Sequence, residues 1–400
     1  MKILQVSPSL PVDVCTQATC LSQHGYLHRL FTSTAINGNG IAGRMVGRWM
    51  SRREVHVGAG RLRPIYSADI RQRLTRLCGG TPVVSADERF DRVDRTASRS
   101  VDDHLDAVLC REDAAIHTFR RAAECGVLRL YDLPTAHFRA TRRLMLDELE
   151  RFPELEPVLA MGDEYSAARN ARKSTELGLA DRILCPSEYV RRSLVEAGYA
   201  DERVRVIPFG CDPDGAQPAG VMRANVVLSV GRISVRKGSH RLLEAWKRIG
   251  AYRTHTLRLV GEIDLPQSYL GRFAGMYEHI GTLPRHRLMR EYAAAKFCVF
   301  NHMSEGMAVV IPEALSAGTP VIATRNSGAE EIVTSGEEGL LIDYGDDGGL
   351  AEAIATLLES PGRLAFMGER AKARARARTW SDYAAEFIGW LESASPAAAA

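Results

Sequence analysis

Residues 297–333 read FCVFNHMSEGMAVVIPEALSAGTPVIATRNSGAEEIV and predict a strand, a glycine-containing loop, a short helix and a second strand. The first four residues are apolar, which is typical of a strand buried on both faces of a parallel sheet. Gly318 fits the end of the helix, and Pro320 begins the next strand. The stretch therefore favours an open α/β sheet, whose ligands bind beyond the carboxyl ends of the strands.

The loop and the helix of this stretch predict a ligand site. Gly306 lets the backbone approach a ligand closely, and N–H groups at the start of the helix favour an anion. Glu305 and Glu313 flank this expected anion site. A phosphate needs no carboxylate, whereas sugar and ribose hydroxyls donate hydrogen bonds to carboxylate oxygens. We therefore expect a ligand that carries both phosphate and hydroxyl groups.

A second ligand loop is predicted at residues 231–238, which read GRISVRKG after an apolar strand. Gly231 permits a sharp turn, and Arg232 and Lys237 place two cations beyond the end of the strand. Two positioned cations favour an anionic ligand and stabilise its negative charge. We expect the neighbouring Arg236 to be exposed to solvent.

Together these motifs resemble the donor site of the retaining, family 4 glycosyltransferases of GT-B fold. The likeness lies in two glutamates separated by seven residues, in Gly-Thr-Pro-Val-Ile-Ala, in a Gly-x-x-Glu turn and in Gly-Arg-x-x-x-x-Lys-Gly. It covers nearly the whole chain and is patchier before residue 125. It implies an α/β protein with two Rossmann-like domains that face a cleft and a C-terminal helix that crosses back.

The resemblance implies transfer of a hexosyl unit from a nucleotide-diphosphate sugar, with UDP or GDP as the expected nucleotide, to an acceptor hydroxyl with retention of configuration. The implied catalytic residues are Arg232, Lys237 and Glu305: the two cations would hold the diphosphate, and the carboxylate would contact the sugar. Glu313 would hold the ribose, and backbone N–H groups of residues 306–309 would line the phosphate and sugar. The implied donor-binding residues are Gly231, Gly306, Met307, Ala308, Val309 and Glu313. No metal or other cofactor is expected, because Arg, Lys and helix N-termini replace a cation.

The 400 residues are too many for one ordinary core, so two domains are expected. We predict an acceptor-binding domain at 1–210, a linker at 211–222, a donor-binding domain at 223–378, a crossover helix at 379–392 and a disordered tail at 393–400. Proline, glycine and aspartate concentrate in the linker. Its Asp-Pro-Asp resembles a metal-binding motif of the other large glycosyltransferase fold, GT-A, but is better explained as a turn.

The acceptor side is less clear from the sequence. Asp132 and His137 follow a predicted strand and are candidates to face an acceptor, while helix capping or core packing is the alternative for His137. Family relatives often have Gly-Gly in the first loop and His-Asp at the position of Tyr131-Asp132, and this chain has neither. These departures leave open a catalytically silent donor-binding subunit, and a nucleotide-sugar epimerase or hydrolase is a further alternative. In the retaining route that the resemblance implies, the leaving phosphate takes the acceptor proton, so no general base is demanded of His137.

Between Arg44 and Arg76 the chain has nine arginines, no lysine and two acidic residues. Because apolar residues including Trp49 are interleaved, the segment could contact an anionic membrane or an acidic acceptor. The alternative is an ordinary amphipathic helix on the core. The acceptor itself is expected to be a glycan or a lipid-linked molecule, as in bacterial surface glycan assembly.

Composition and termini suggest the compartment. The net charge of +3 gives no indication of nucleic-acid binding. The start MKILQVSPSLP lacks the features of a signal peptide, and no apolar stretch approaches the ~18 residues that span a bilayer. The eight cysteines lack zinc-like spacing, which favours reduced thiols. We therefore expect a cytoplasmic location, with peripheral contact at the inner face of the membrane as an open possibility.

Overall fold

The computed structural model describes residues 1–33, 36–37, 54–65, 86–156, 166–212 and 224–394. Within these residues the chain forms two α/β domains, each built on one parallel sheet. This confirms the predicted pair of Rossmann-like domains.

The N-terminal domain has a seven-stranded sheet in the order β5-β2-β1-β6-β7-β8-β9, and β3 pairs with β4 separately. Its described strands are β1 Ile3–Val6, β2 Leu27–Thr32, β3 Ile36–Asn37, β4 Glu54–Val55, β5 Leu62–Pro64, β6 Ala107–Arg111, β7 Leu128–Asp132, β8 Arg182–Cys185 and β9 Val204–Val206. Its described helices are α1 Val12–Gln23, α2 Ala86–Ser98, α3 Ile116–Glu124, α4 Phe138–Arg151, α5 Ala167–Leu179 and α6 Glu188–Glu196.

The C-terminal domain has a six-stranded sheet in the order β12-β11-β10-β13-β14-β15. Its strands are β10 Val226–Val230, β11 Thr256–Val260, β12 Tyr277–Gly281, β13 Phe297–Phe300, β14 Val321–Thr324 and β15 Gly339–Ile342. The helices that follow residue 224 are α7 Ser239–Arg248, α8 Gln267–Leu270, α9 Arg285–Ala294, α10 Val310–Ser316, α11 Asp347–Glu359, α12 Pro361–Ala377 and α13 Trp380–Ala394.

The central strands are continuous apolar runs because helices cover both faces of each sheet. All four residues of β13 are fully buried, as are all four of β14. Such runs exclude water from both sides of the hydrogen-bonded ladder, as parallel sheets require. The stretch at 297–333 therefore forms the centre of its sheet, as predicted.

Helix α13 returns to the N-terminal domain and packs on α1. The Gln17 side chain donates a hydrogen bond to the Tyr383 hydroxyl (2.9 Å), and Tyr26 donates to Glu392 (2.8 Å). This confirms that the helix crosses back. The helix continues to Ala394, so residues 393 and 394 are helical and not part of a disordered tail, whereas 395–400 lie outside the described residues.

The chain passes between the domains at Cys211 and again at residues 378–380, and these two connecting segments lie side by side. Cys211 N–H donates to Arg378 O (2.8 Å), and Trp380 N–H donates to Cys211 O (3.3 Å). The predicted linker thus begins in an ordered pairing, and its remainder at 213–222 lies outside the described residues, as does most of the arginine-rich segment between Arg44 and Arg76.

A segment of the N-terminal domain in turn packs on the C-terminal domain. The end of α4 and the following 3₁₀ turn, Pro153–Leu155, belong to the N-terminal domain but pack on the C-terminal one. Leu155 is 0% exposed in an apolar cluster with Leu243 and Trp246 of α7. Each domain therefore holds part of the other.

No described helix is long and apolar enough to cross a membrane.

Replacing Gly210 by alanine should destabilise the whole chain. A Cβ on Gly210 would lie inside 3.0 Å of the backbone of Thr379 and Trp380, so the paired crossings would have to separate. We expect the free energy of unfolding to fall by about 2 kcal/mol, the usual cost of overpacking. Thermal unfolding of the full chain measures it.

Gly362→Ala is the matched control, because a Cβ there meets nothing within 4 Å. A Gly210→Ala variant with the midpoint of this control would contradict the close pairing of the crossings.

Candidate functional site

The candidate site lies where the order of the C-terminal sheet changes direction. From β10 the chain adds β11 and β12 on one side, and then β13, β14 and β15 on the other. The carboxyl ends of β10 and β13 are therefore neighbours whose following loops diverge, which leaves a crevice for ligands. The two predicted motif loops follow these two strands.

An ion pair joins the two loops across the crevice. Lys237 Nζ donates to Glu305 Oε1 (2.6 Å), and Arg236 Nε lies 3.5 Å from the same oxygen. Burial alone would raise the pKa of Glu305, but the charges of Lys237 and Arg236 hold it at about 2. Arg236 is half-buried, so the expectation that it is solvent-exposed was wrong. Its motif position did not reveal that it turns toward Glu305.

The backbone around Lys237 is fixed by glycine and by the next loop. Gly238 has φ 64°, and a Cβ there would lie inside 3.0 Å of Asn301 O. Lys237 N–H donates to Ser234 Oγ (3.3 Å). Only glycine permits this close approach, so Lys237 is held next to the loop that carries Glu305.

Arg232 is placed differently from Lys237. Its side chain is 61% exposed and its guanidinium lies 4.0 Å from Asp264. The preceding Gly231 has φ 132°, which turns the chain sharply, as predicted. The structure thus brings Lys237 and Glu305 together and leaves Arg232 at the rim of the crevice.

Glu313 lies in a cleft between the domains. It accepts a hydrogen bond from the Tyr292 hydroxyl (3.3 Å), and Arg285 Nη1 lies 3.9 Å from it. Burial raises the pKa of Glu313, although Arg285 and Tyr292 oppose this effect. The residues lining the cleft are Val12, Gly210, Asp212, Arg285, Met289, Val309, Pro312, Glu313, Ser316 and Trp380.

The sequence did not identify Arg285, Tyr292 or Trp380 as site residues. Tyr292 and Arg285 are on α9, which no motif marks, and Trp380 begins the crossover helix. Arg285 Nη2 also donates to Asp212 (3.2 Å), the first aspartate of Asp-Pro-Asp. Among the described residues no cluster of three or more side chains could hold a metal ion.

The loop after Glu305 packs against the N-terminal domain. A Cβ on Gly306 would lie inside 3.0 Å of Pro134 O, and Ser187 Oγ donates to Gly306 O. Phe209 N–H points at the sulfur of Met307 (3.1 Å). Gly306 therefore permits close contact between domains, a reason that differs from the predicted approach to a ligand.

The predicted row of N–H donors at 306–309 is incomplete. Ala308 N–H already donates to Ser327 O (2.9 Å), so this group is not available to a ligand in this conformation. The prediction is corrected at this position. Val309 is 40% exposed and lines the cleft beside Glu313.

His302 is a further buried residue of the site that no sequence pattern indicated. Burial and the charge of Lys237 lower the pKa of His302 to about 3. The imidazole is therefore neutral, and it adds no third positive charge around Glu305.

On the acceptor side, Asp132 is buried within an ion network. Arg111 Nη1 lies 2.7 Å from Asp132 and 2.6 Å from Asp13. Burial raises the pKa of Asp132 to about 6, although Arg111 opposes this effect. Tyr131, which stands where relatives often have histidine, is fully buried and donates to Glu176 (2.7 Å). Tyr131 therefore belongs to the core of the domain.

His137 caps a helix, which was the alternative to its predicted role of facing an acceptor. It is the N-cap of α4, and its Nδ1 accepts from Arg139 N–H (3.3 Å). Burial, followed by the charge of Arg139, lowers the pKa of His137 to about 4. His137 is therefore a neutral, buried cap of α4, and its contact with an acceptor stays a prediction.

Two family models match the chain. Residues 224–360 match the model described as glycosyl transferases group 1, and residues 155–214 match the one described as glycosyltransferase family 4. Among curated relatives, a D-inositol 3-phosphate glycosyltransferase of Catenulispora acidiphila is 30% identical over 254 residues, which is 57% of this chain and 60% of the relative. The lipopolysaccharide core biosynthesis glycosyltransferase LpsE of Rhizobium meliloti is 35% identical over 159 residues, or 37% and 43% of the two chains. The matches thus span about 60% or less of these relatives.

Solved structures share the fold over almost the whole chain. Anabaena HepE in complex with UDP has a TM-score of 0.64 at 20% identity, and the alignment covers 98% of this chain and 100% of HepE. Sucrose-phosphate synthase from Thermosynechococcus elongatus has a TM-score of 0.63 at 18% identity, with 98% of each chain covered. These likenesses confirm the predicted GT-B architecture.

Lys237→Met should raise the pKa of Glu305 above its wild-type value of about 2, because burial raises this pKa and the charge of Lys237 is the main effect that opposes it. In the wild type, a depressed folded-state pKa means that ionised Glu305 stabilises the fold above about pH 4.5 and that this stabilisation is lost as the pH falls toward 2. An NMR titration of the Glu305 carboxyl carbon measures this pKa in both proteins. Arg232→Met is the control, and it should leave the titration unchanged because Arg232 is exposed at the rim. A Glu305 that still titrates near 2 without Lys237 would refute the assignment.

The family matches and the structural likenesses agree in both halves of the molecule. The ion pair at the sheet crevice lies in the half that matches glycosyl transferases group 1. The chain therefore has the GT-B fold, and its residues 155–214 and 224–360 match models of glycosyltransferase families.

Proposed function

We propose that the chain transfers a hexosyl unit from a nucleotide-diphosphate sugar to an acceptor hydroxyl with retention of configuration. The observation that carries this proposal is the Lys237–Glu305 ion pair at the crevice, beside a cleft lined by Glu313. A cation paired with one carboxylate, together with a second carboxylate in the cleft, suits a ligand that has a diphosphate between two hydroxyl-bearing groups. UDP is the favoured nucleotide, because HepE is a structural neighbour in complex with UDP and with UDP-glucose.

In this proposal Lys237 exchanges Glu305 for the diphosphate when the donor binds. Arg232, exposed at the rim, adds a second cation to the diphosphate. Glu305 then accepts hydrogen bonds from sugar hydroxyls and stabilises positive charge at the anomeric carbon. Glu313 accepts from the ribose. Gly231 and residues 306–309 shape the loops around the donor.

The proposed chemistry is front-face substitution. The bond from the anomeric carbon to the phosphate oxygen breaks, and the acceptor oxygen bonds to the same face of that carbon. The acceptor proton passes to the leaving phosphate oxygen. Preorganised cations lower the barrier because negative charge grows on the departing diphosphate. This route asks no general base of Asp132 or His137, which agrees with their burial in internal contacts.

The proposed acceptor is a glycan or a lipid-linked molecule, with the N-terminal domain as the acceptor-binding half. LpsE, whose name refers to lipopolysaccharide core biosynthesis, supports a role in bacterial surface glycans. The arginine-rich segment between Arg44 and Arg76 supports a cytoplasmic protein in peripheral contact with anionic membrane.

Calorimetric titration with UDP-, GDP-, ADP- and dTDP-sugars, without metal, tests the donor site. One donor should bind, and Lys237→Ala and Glu313→Gln should each weaken that binding by about 10-fold, the worth of one charge-assisted hydrogen bond. Glu278→Gln is the control, since Glu278 is exposed on β12 and pairs with Arg258. Absence of binding to every donor would contradict the proposal. Binding without transfer to any acceptor would favour the silent donor-binding subunit, and nucleotide release without an acceptor would favour the hydrolase.

Cosedimentation with vesicles tests the membrane contact. The protein should pellet with vesicles that contain anionic lipid, and high salt should release it, because each basic residue near the surface contributes about 1 kcal/mol. Serine at Arg48, Arg52 and Arg53 should reduce binding, whereas serine at Arg120 should not. Cosedimentation that does not depend on anionic lipid would contradict this part of the proposal.

A further inference from the structure

Glu148 belongs to the N-terminal domain but lies inside the C-terminal one. It is on α4, and its side chain is 1% exposed. Arg241 donates to its carboxylate through Nε (2.6 Å) and Nη2 (3.0 Å). His240 Nε2 lies 3.2 Å away, and the Tyr344 hydroxyl also donates to it. One carboxylate thus meets three side chains of the other domain.

The charge of Glu148 is matched by its partners. Burial alone would raise its pKa, but hydrogen bonds from His240 and Arg241 lower the pKa to about 2. The Arg241 guanidinium also contacts Asp347 (2.6 Å) and lies over the ring of Phe152 (5.2 Å). Loss of one member of such a buried pair leaves an uncompensated charge, so the geometry tolerates little change.

These contacts lie next to the donor site. His240 and Arg241 are in the first turn of α7, and Lys237 precedes this helix by two residues. The close approach of Gly238 to Asn301 leaves the segment no freedom between Lys237 and the helix. The placement of Lys237 therefore follows the placement of the first turn of α7.

The Lys237–Glu305 ion pair joins two segments, residues 237–243 and residues 303–307, which we call the two arms of the site. Helix α4 also contacts the second of these arms. Thr141, seven residues before Glu148 and on the same face of the helix, has its Oγ1 2.9 Å from Ser304 Oγ. Tyr189 of α6 donates to the same Ser304 hydroxyl (3.0 Å). Ser304 is adjacent to Glu305, so one helix face touches both arms that the Lys237–Glu305 ion pair joins.

We propose that Glu148 is a positioning residue for the donor site, and that α4 sets the separation of Lys237 and Glu305 from the N-terminal domain. When the domains are docked, Glu148 fixes the Lys237 arm and Thr141 fixes the Glu305 arm. When they part, both arms lose their support at once. Donor affinity is then coupled to the docking of the domains. The identity of the ligand rests on the proposed function, whereas the mechanical coupling does not.

Glu148→Gln tests the coupling, because the introduced amide nitrogen would face the donors of Arg241 or His240. Hydrogen–deuterium exchange of the full chain should become faster in both arms, at 237–243 and 303–307, while strand β14 keeps its wild-type rate. UDP titrated by calorimetry should bind about 10-fold more weakly, since small displacements of binding groups are costly. A uniform increase in exchange, or none, would overturn the proposal, because a merely structural role does not select the two arms.

Two more variants sharpen the test. Glu154→Gln is the matched control: Glu154 follows Glu148 on the same segment and pairs with Arg272 of the other domain, but both side chains are nearly half exposed (46% and 45%). It should change neither exchange nor affinity. Thr141→Val should loosen only the 303–307 arm, and it keeps the coupling testable if Glu148→Gln folds poorly. Unchanged exchange at 303–307 in Thr141→Val would count against the role of α4. If wild type binds no UDP, the proposed function fails, and the exchange comparison alone still decides the coupling.

Discussion

The change of direction in the C-terminal sheet is the constraint on which the candidate site depends. Parallel strands β10 and β13 are adjacent in the sheet. In the sequence, 66 residues lie between Val230, the last residue of β10, and Phe297, the first residue of β13. Because their loops diverge from adjacent strand ends, a cation on one can meet a carboxylate on the other. The Lys237–Glu305 ion pair is the direct result. The carboxylate of Glu305 also attracts Arg236, and the charge of Lys237 helps to keep the imidazole of His302 neutral.

The same topology in the N-terminal domain has a different outcome. There the sheet changes direction between β1 and β6, and Asp13 in the first turn of α1 meets Arg111 and Asp132 at the carboxyl ends of β6 and β7. Two carboxylates share one guanidinium, and the Tyr383 ring of the crossover helix lies beside them. The crevice of this domain is therefore occupied by its own internal contacts, whereas that of the C-terminal domain keeps partly exposed charges.

The fold could be predicted from the sequence because its strands are continuous apolar runs with glycine and proline at their ends. The strand at 297–300 and the helix around Glu313 lie as expected for this reason. The roles of Lys237 and Glu305 remain predictions, although the contact between them supports a shared site. Arg236 and Glu148 were beyond sequence reasoning, because their partners are distant in the chain and no periodicity marks them. The predictions for the tail beyond Ala394 and for most of the arginine-rich segment concern residues outside those that the structure describes.

The mutual docking of the domains has a consequence for recombination. The segment from α4 to Leu155 completes the core of the C-terminal half, and α13 completes the surface of the N-terminal half. A chimaera joined at the linker alone would separate both from their partners and expose apolar side chains in each half. An exchange of donor modules between relatives must therefore carry four crossover points, so that the segment at 138–156 travels with the C-terminal module and the helix Trp380–Ala394 stays with the N-terminal one.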